Sequence, residues 1–106
     1  MDEQEFNRAA DATLARIEQT LEASGADIDV ELREGGVLEL ELGNGTKIIV
    51  NRHGAAREIW LAAKSGGFHF KPADAGRWVA TRDGEELLAA LARCIAEQGG
   101  GQLVLG

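Results

Sequence analysis

One cysteine, one proline and no tyrosine occur in 106 residues, and no apolar run reaches the ~18 residues that a membrane span needs. A lone cysteine cannot staple a fold, so a disulfide framework is excluded. The opening MDEQEFNRAADATL lacks the basic start and apolar stretch of a secretory signal, so the cytoplasm is the expected compartment. Bases are also scarce in one region. Residues 1–42 hold twelve carboxylates against Arg8, Arg16 and Arg33, a net of −9, which leaves +2 for the remainder of a chain at −7 overall. That asymmetry argues against nucleic acid, because a phosphate backbone needs a basic face. It favours a cation or a basic protein surface. No Ser/His/Asp or Cys/His arrangement and no phosphate loop can be assembled, since SGGF (65–68) is too short for a nucleotide fingerprint. The chain is not expected to be an enzyme.

What is present is enough for one domain over residues 1–106, with 44% hydrophobic residues to supply a core. Asp2 and Glu5 form a capping-box pattern ahead of a helix whose buried stripe is Phe6, Ala10, Leu14, Ile17 and Leu21, and Ser24 and Gly25 end it. GADIDVEL (25–32) then alternates polar and apolar residues as a half-buried strand does. Further strands are expected at 37–42, 47–50, 58–62, 68–70 and 77–81, with turns at GNGT (43–46) and KSGG (64–67) and a loop over 71–76. The connections are too short for parallel crossovers, so the strands form an antiparallel meander. Asp83 with Glu86 is read as the start of a second helix carrying Leu87, Leu88, Leu91 and Ile95, ended by GGG (99–101) before an LVL tail that could turn back on it. The expected class is α+β: a two-layer sandwich with two terminal helices on one face of an antiparallel sheet. Alternation points Ile48, Val50, Ile59, Leu61, Phe68 and Phe70 inward and Lys47, Asn51, Glu58, Trp60 and His69 outward.

Two features carry functional readings. Asp11, Glu18 and Glu22 fall on one flank of the first helix at about 100° per residue. Asp27, Asp29 and Glu31 share one face of the strand that follows. If that strand lies at the sheet edge beside the helix, the two sets merge into an acidic ridge, expected to stand without basic partners. Oxygen-only donors suit hard cations. Asp27-x-Asp29-x-Glu31 is not an EF-hand loop, because the glycine position is Leu32 and the twelfth-position glutamate is Leu38. A convex ridge predicts weak, exchanging binding of several ions; the plain alternative is a solvated face. The second feature is Trp60, read as exposed, which either anchors a partner or lies flat over its neighbours. His53 and His69 are read as surface histidines and Cys94 as a buried, inert thiol.

NGTKIIVNR followed by EIWLAAKSGGFHF, with GGVLELEL before and TRDGEEL after, resembles the central sheet of the frataxin family in its bacterial, CyaY-type form. The resemblance spans nearly the whole chain. It implies an iron-binding protein of iron–sulfur cluster assembly that holds Fe²⁺ or Fe³⁺ weakly and exchangeably. It also implies docking on the cysteine desulfurase and on the cluster scaffold, whose activity the protein modulates. A monomer is expected, with oligomers in the presence of iron. By position, the resemblance assigns metal binding to Asp11, Glu18, Glu22, Asp27, Asp29 and Glu31 and partner contacts to Asn51 and Trp60. The family's paired helix acids are single here, Glu18 being followed by Gln19 and Glu22 by Ala23. Where the family tends to have a glutamine and a nearby proline, this chain has His53-Gly54-Ala55, without the proline's stiffening. A regulatory docking module, with iron incidental, is the competing reading.

Overall fold

Asp2 opens the first helix, α1 (Glu3–Ala23), through the reciprocal bonds its spacing to Glu5 implies. The Asp2 carboxylate accepts the Glu5 N–H at 2.8 Å, and the Glu5 carboxylate accepts the Asp2 N–H. The Glu5 amide, above all, holds the Asp2 carboxyl below its ordinary range. One face of α1 buries Phe6, Ala10, Thr13, Leu14, Ile17 and Leu21. The Ser24 hydroxyl donates to the Leu21 carbonyl, and Gly25 at φ +74° turns the chain back in a conformation glycine adopts without steric cost.

In the computed structural model, which describes residues 1–106, six strands follow in spatial order: β1 (Ile28–Arg33), β2 (Val37–Leu42), β3 (Lys47–His53), β4 (Glu58–Ala63), β5 (Gly66–Pro72) and β6 (Trp78–Ala80). Every neighbouring pair is antiparallel. β1 and β6 are therefore the edges. The chain ends with α2 (Leu87–Glu97) and a tail. Leu38, Leu40, Leu42, Ile48, Val50, Ile59, Leu61 and Phe70 pack under both helices in one continuous core, while the other sheet face is open. Phe68 is half-buried against that core, with the guanidinium groups of Arg82 and Arg93 at 5.5 and 5.2 Å from its ring.

Three details depart from the pattern in the sequence. β3 runs on to His53, and β5 spans Gly66–Pro72, so KSGG contributes only Lys64 and Ser65 to the turn. Asp83 does not start α2. Its carboxylate accepts the Glu85 N–H at 3.0 Å, Gly84 takes φ +80°, and Glu86 bridges to Val79 before the helix begins at Leu87. The short β6 places Trp78 in the core, 2% exposed, edge-on to Phe6 and donating its indole N–H to the Thr13 hydroxyl at 2.9 Å. The tail lies along α2, where Leu105 is buried and Leu103 half-buried.

Gln98, just past α2, ties the helix to two turns. Its side chain accepts the Lys64 N–H at 2.9 Å and donates to the Thr46 hydroxyl at 3.1 Å, while its carbonyl accepts from the Asn44 amide at 2.6 Å. Gln98→Ala removes the part-buried acceptor of the Lys64 amide and is expected to cost about 0.5–1.5 kcal/mol. Urea unfolding should show this as a lower midpoint at unchanged slope. An unchanged midpoint would contradict the role given to this side chain.

Candidate functional site

β1 is the sheet edge, and α1 packs against β1, β2 and β3 with β1 as its main neighbour. The condition for a shared acidic edge is met. Ile28, Val30 and Leu32 turn toward the core, which directs Asp29 and Glu31 to the open sheet face, whereas Asp11, Glu18 and Glu22 belong to the helix layer. The acids thus wrap the β1 edge and do not stand in one row. Glu18 is half-buried; Asp11, Glu22, Asp27, Asp29 and Glu31 are exposed. Asp27 sits in the turn before β1, where its carbonyl accepts the Gly43 N–H at 2.9 Å.

Antiparallel register adds two carboxylates that sequence reading left out of the site. Asp29 is directly opposite Glu41, and Glu31 is opposite Glu39. The signal was the Leu-Glu-Leu-Glu alternation of VLELEL, which puts Glu39 and Glu41 on the same face as the β1 acids once the strands pair. The expectation of a ridge without basic partners is corrected. Arg52 bonds Asp11 at 2.8 Å, reaching it from β3 across 41 residues of sequence. Arg33 meets Glu31 at 3.0 Å and Glu39 at 3.5 Å, and Lys47 meets Glu39 at 3.5 Å. No three His, Cys, Asp or Glu side chains converge as a chelating set. The free oxygens are those of Glu18, Glu22, Asp27, Asp29 and Glu41, which form no ion pair; all but Glu18 lie toward the α1–β1 turn. Such donors can share a hydrated hard cation but cannot enclose one.

The second candidate lies on the open face. Asn51 on β3, Trp60 on β4 and His69 on β5 are cross-strand neighbours in one row, and His53 stands opposite Glu58 in the next. Trp60, read as exposed from alternation, is half-buried between its neighbours. His53 stacks on one face of the indole at 3.8 Å between centroids and 10° between planes; His69 covers the other at 4.4 Å and 8°. The Glu58 carboxylate accepts the indole N–H at 2.9 Å and lies 3.5 Å from His69 Nδ1. The stack follows from register, because each ring projects from an adjacent strand, about 4.8 Å from the next. Reading His53 and His69 as isolated surface residues missed it. The motif signal was present: NRH and EIW become neighbours as soon as the β3–β4 pairing is known.

Elsewhere, Cys94 is buried, and burial pushes its thiol up, which leaves it unreactive as read from the sequence. The concavities at the far end of the molecule, of about 330 and 450 Å³, are bordered by Arg16, Gly76 and Arg77 and include neither the ridge acids nor the stack.

Six sequential antiparallel strands with both terminal helices on one face define a two-layer α+β sandwich with an acidic edge and an open, aromatic-bearing face. Residues 1–101 match the frataxin-like domain, and the chain belongs to the frataxin family. It is 51% identical to the iron-sulfur cluster assembly protein CyaY of Dechloromonas aromatica, covering 99% of each chain. With the protein of the same name from Herminiimonas arsenicoxydans it shares 54% identity, over 99% of this chain and 96% of that one. Its structure is similar to that of the frataxin from Psychromonas ingrahamii, at a TM-score of 0.91 and 35% identity over 100% of this chain and 99% of the other. A trimeric frataxin from the yeast Saccharomyces cerevisiae, complexed with ferrous iron, matches at a TM-score of 0.71 and 29% identity over 84% and 83% of the two chains.

Proposed function

We propose that the chain is a non-enzymatic iron-binding protein of iron–sulfur cluster assembly, acting in the cytoplasm. In this reading ferrous or ferric iron is cargo. It is held weakly and exchangeably at the edge formed by α1 and β1, through Asp11, Glu18, Glu22, Asp27, Asp29 and Glu31. The same edge approaches a basic surface of the cysteine desulfurase, and Asn51 and Trp60 face the cluster scaffold. The observation that carries the proposal is the wrapping of like charge around one sheet edge. Carboxylates on both layers, reinforced by Glu39 and Glu41, concentrate negative potential where hydrated cations and basic proteins are both attracted. Relatives at about half identity bear the name of iron–sulfur cluster assembly proteins, and a yeast frataxin has been solved as a ferrous complex.

Two observations favour a second reading, a docking module for which iron is incidental. The ridge has no chelating triple, and Asp11 and Glu31 already hold arginines. The two readings separate in a desulfurase assay with this protein present, run with and without ferrous iron at rising salt. The proposal expects the change in sulfide release to require iron and to vanish when Asp27, Asp29 and Glu31 are neutralised. The docking module expects the change without iron, declining as salt screens the ridge. No effect under any condition would remove desulfurase modulation from both.

A further inference from the structure

The two imidazoles that enclose Trp60 are held differently by their surroundings. His53 Nδ1 accepts the Ala56 N–H at 3.2 Å, a bond that only a ring unprotonated at that nitrogen can make. Ala56 belongs to the turn 54–57, which Arg57 closes by donating both its backbone N–H and its guanidinium to the Gly54 carbonyl. His53 is thereby part of a built turn. His69 has no such bond. Its Nδ1 lies 3.5 Å from the Glu58 carboxylate, which also accepts the Trp60 indole N–H, so a proton on that nitrogen joins all three side chains. One face of the indole thus rests on a fixed ring and the other on a ring whose hold on Glu58 strengthens when it is charged.

We propose that His53 and His69 are positioning residues for docking through Trp60, with His53 the fixed jaw of a clamp and His69 the jaw that tightens when protonated. The inference rests on the reading of Asn51 and Trp60 as a partner-contact surface. A protonated His69 gains a charge-assisted bond to Glu58 and an attraction to the indole face, both of which draw the ring onto Trp60. In that state both faces of the tryptophan are covered, and a partner must displace a charged ring to reach it. With His69 neutral, the cover is a weaker stack. Imidazole is the side chain that changes charge in the mildly acidic to neutral range, so docking through Trp60 weakens as pH falls through it.

Other charges near the clamp come from every neighbouring element. Lys71 lies two residues beyond His69 on the same face of β5, and Arg82 and Asp83 border a small cleft beside His69. Arg57 is in the turn next to His53, and the Glu3 carboxylate of α1 approaches Gly54. Glu58 alone among them is bonded to the stack. The response to pH is therefore assigned to the His69–Glu58 pair.

The test uses amide and indole NMR of the full chain between pH 5.5 and 8, paired with its affinity for the iron–sulfur scaffold protein over the same range. The Trp60 indole N–H resonance should titrate, while that of Trp78, bonded to the uncharged Thr13 hydroxyl, serves as an internal control and stays fixed. His69→Gln should abolish the Trp60 titration, and His53→Gln should retain it. Scaffold affinity of the native chain should fall about two- to fivefold from pH 8 to pH 6 and be flat in His69→Gln. A Trp60 resonance indifferent to pH, or one that still titrates in His69→Gln, overturns the clamp. A titrating resonance with equal pH dependence of docking in native and His69→Gln chains overturns its control of docking and leaves the contact surface standing. If the scaffold binds at no pH, the contact reading itself fails and takes the clamp's function with it.

Discussion

Replacing Asp27 and Asp29 by asparagine and Glu31 by glutamine, all in one chain, is expected to lower ferrous affinity by about tenfold or more, some 1.4 kcal/mol. The same variant should be slightly more stable than the native chain. Both effects come from register. Asp29 faces Glu41 and Glu31 faces Glu39 across β1 and β2, and directly opposed like charges destabilise a sheet by roughly 0.2–1 kcal/mol per pair. The amides remove that repulsion and keep the shape of each side chain. What the variant loses in return is the exposed Glu31–Arg33 pair, and surface pairs of this kind contribute about 0–1 kcal/mol. Neutral amide oxygens remain weak donors, but the local potential that concentrates the cation is gone. Anaerobic calorimetry with ferrous iron reads the first effect and urea unfolding the second. Unchanged iron affinity would remove the β1 face from the metal site. A clear loss of stability would show that these carboxylates hold the edge together, contrary to the opposed-charge account.

Trp78→Ala should be the most damaging single substitution considered, at about 3–5 kcal/mol. A domain of this size is stable by only about 5–15 kcal/mol, so the variant would be close to its unfolding transition under ordinary conditions. The indole fills the space between α1 and the last strand, 5.8 Å from the Phe6 ring at 78°, and its N–H is the partner of a Thr13 hydroxyl in a residue only 7% exposed. Alanine opens a cavity there and leaves that hydroxyl unpaired. Trp78→Phe restores most of the volume but not the hydrogen bond, and should recover the larger part of the loss. Far-UV circular dichroism during urea unfolding decides the matter. A loss below about 1 kcal/mol for the alanine variant would mean that the site collapses around the smaller side chain, and would contradict the packing described.

The contrast between Trp78 and Trp60 shows what could be read from sequence. Period and caps are local, so α1 was legible from Asp2, Glu5 and the stripe from Phe6 to Leu21, and the inward residues of the sheet from alternation. The edge position of β1 was a condition that the sequential strand order satisfied. Register is not local. The opposed carboxylates, the Arg52–Asp11 pair and the His53–Trp60–His69 stack all depend on which residue faces which, and alternation names a face without naming a partner. The start of α2 was misplaced for a different reason. Asp83 spends its carboxylate on the Glu85 amide, a turn bond that draws on the same chemistry as a helix cap. Trp78 had too little context, since a three-residue strand offers no period to measure.

The central claim is that iron meets this protein at the α1–β1 edge. An anaerobic titration of the ¹⁵N-labelled chain with ferrous iron at physiological salt, followed by amide NMR, tests it most directly. The account predicts selective broadening and shifts at Glu18, Glu22 and residues 27–31, extending to Glu39 and Glu41 across β2, with Trp60 and α2 unaffected. Perturbation spread evenly over the surface, or none at millimolar iron, would contradict it.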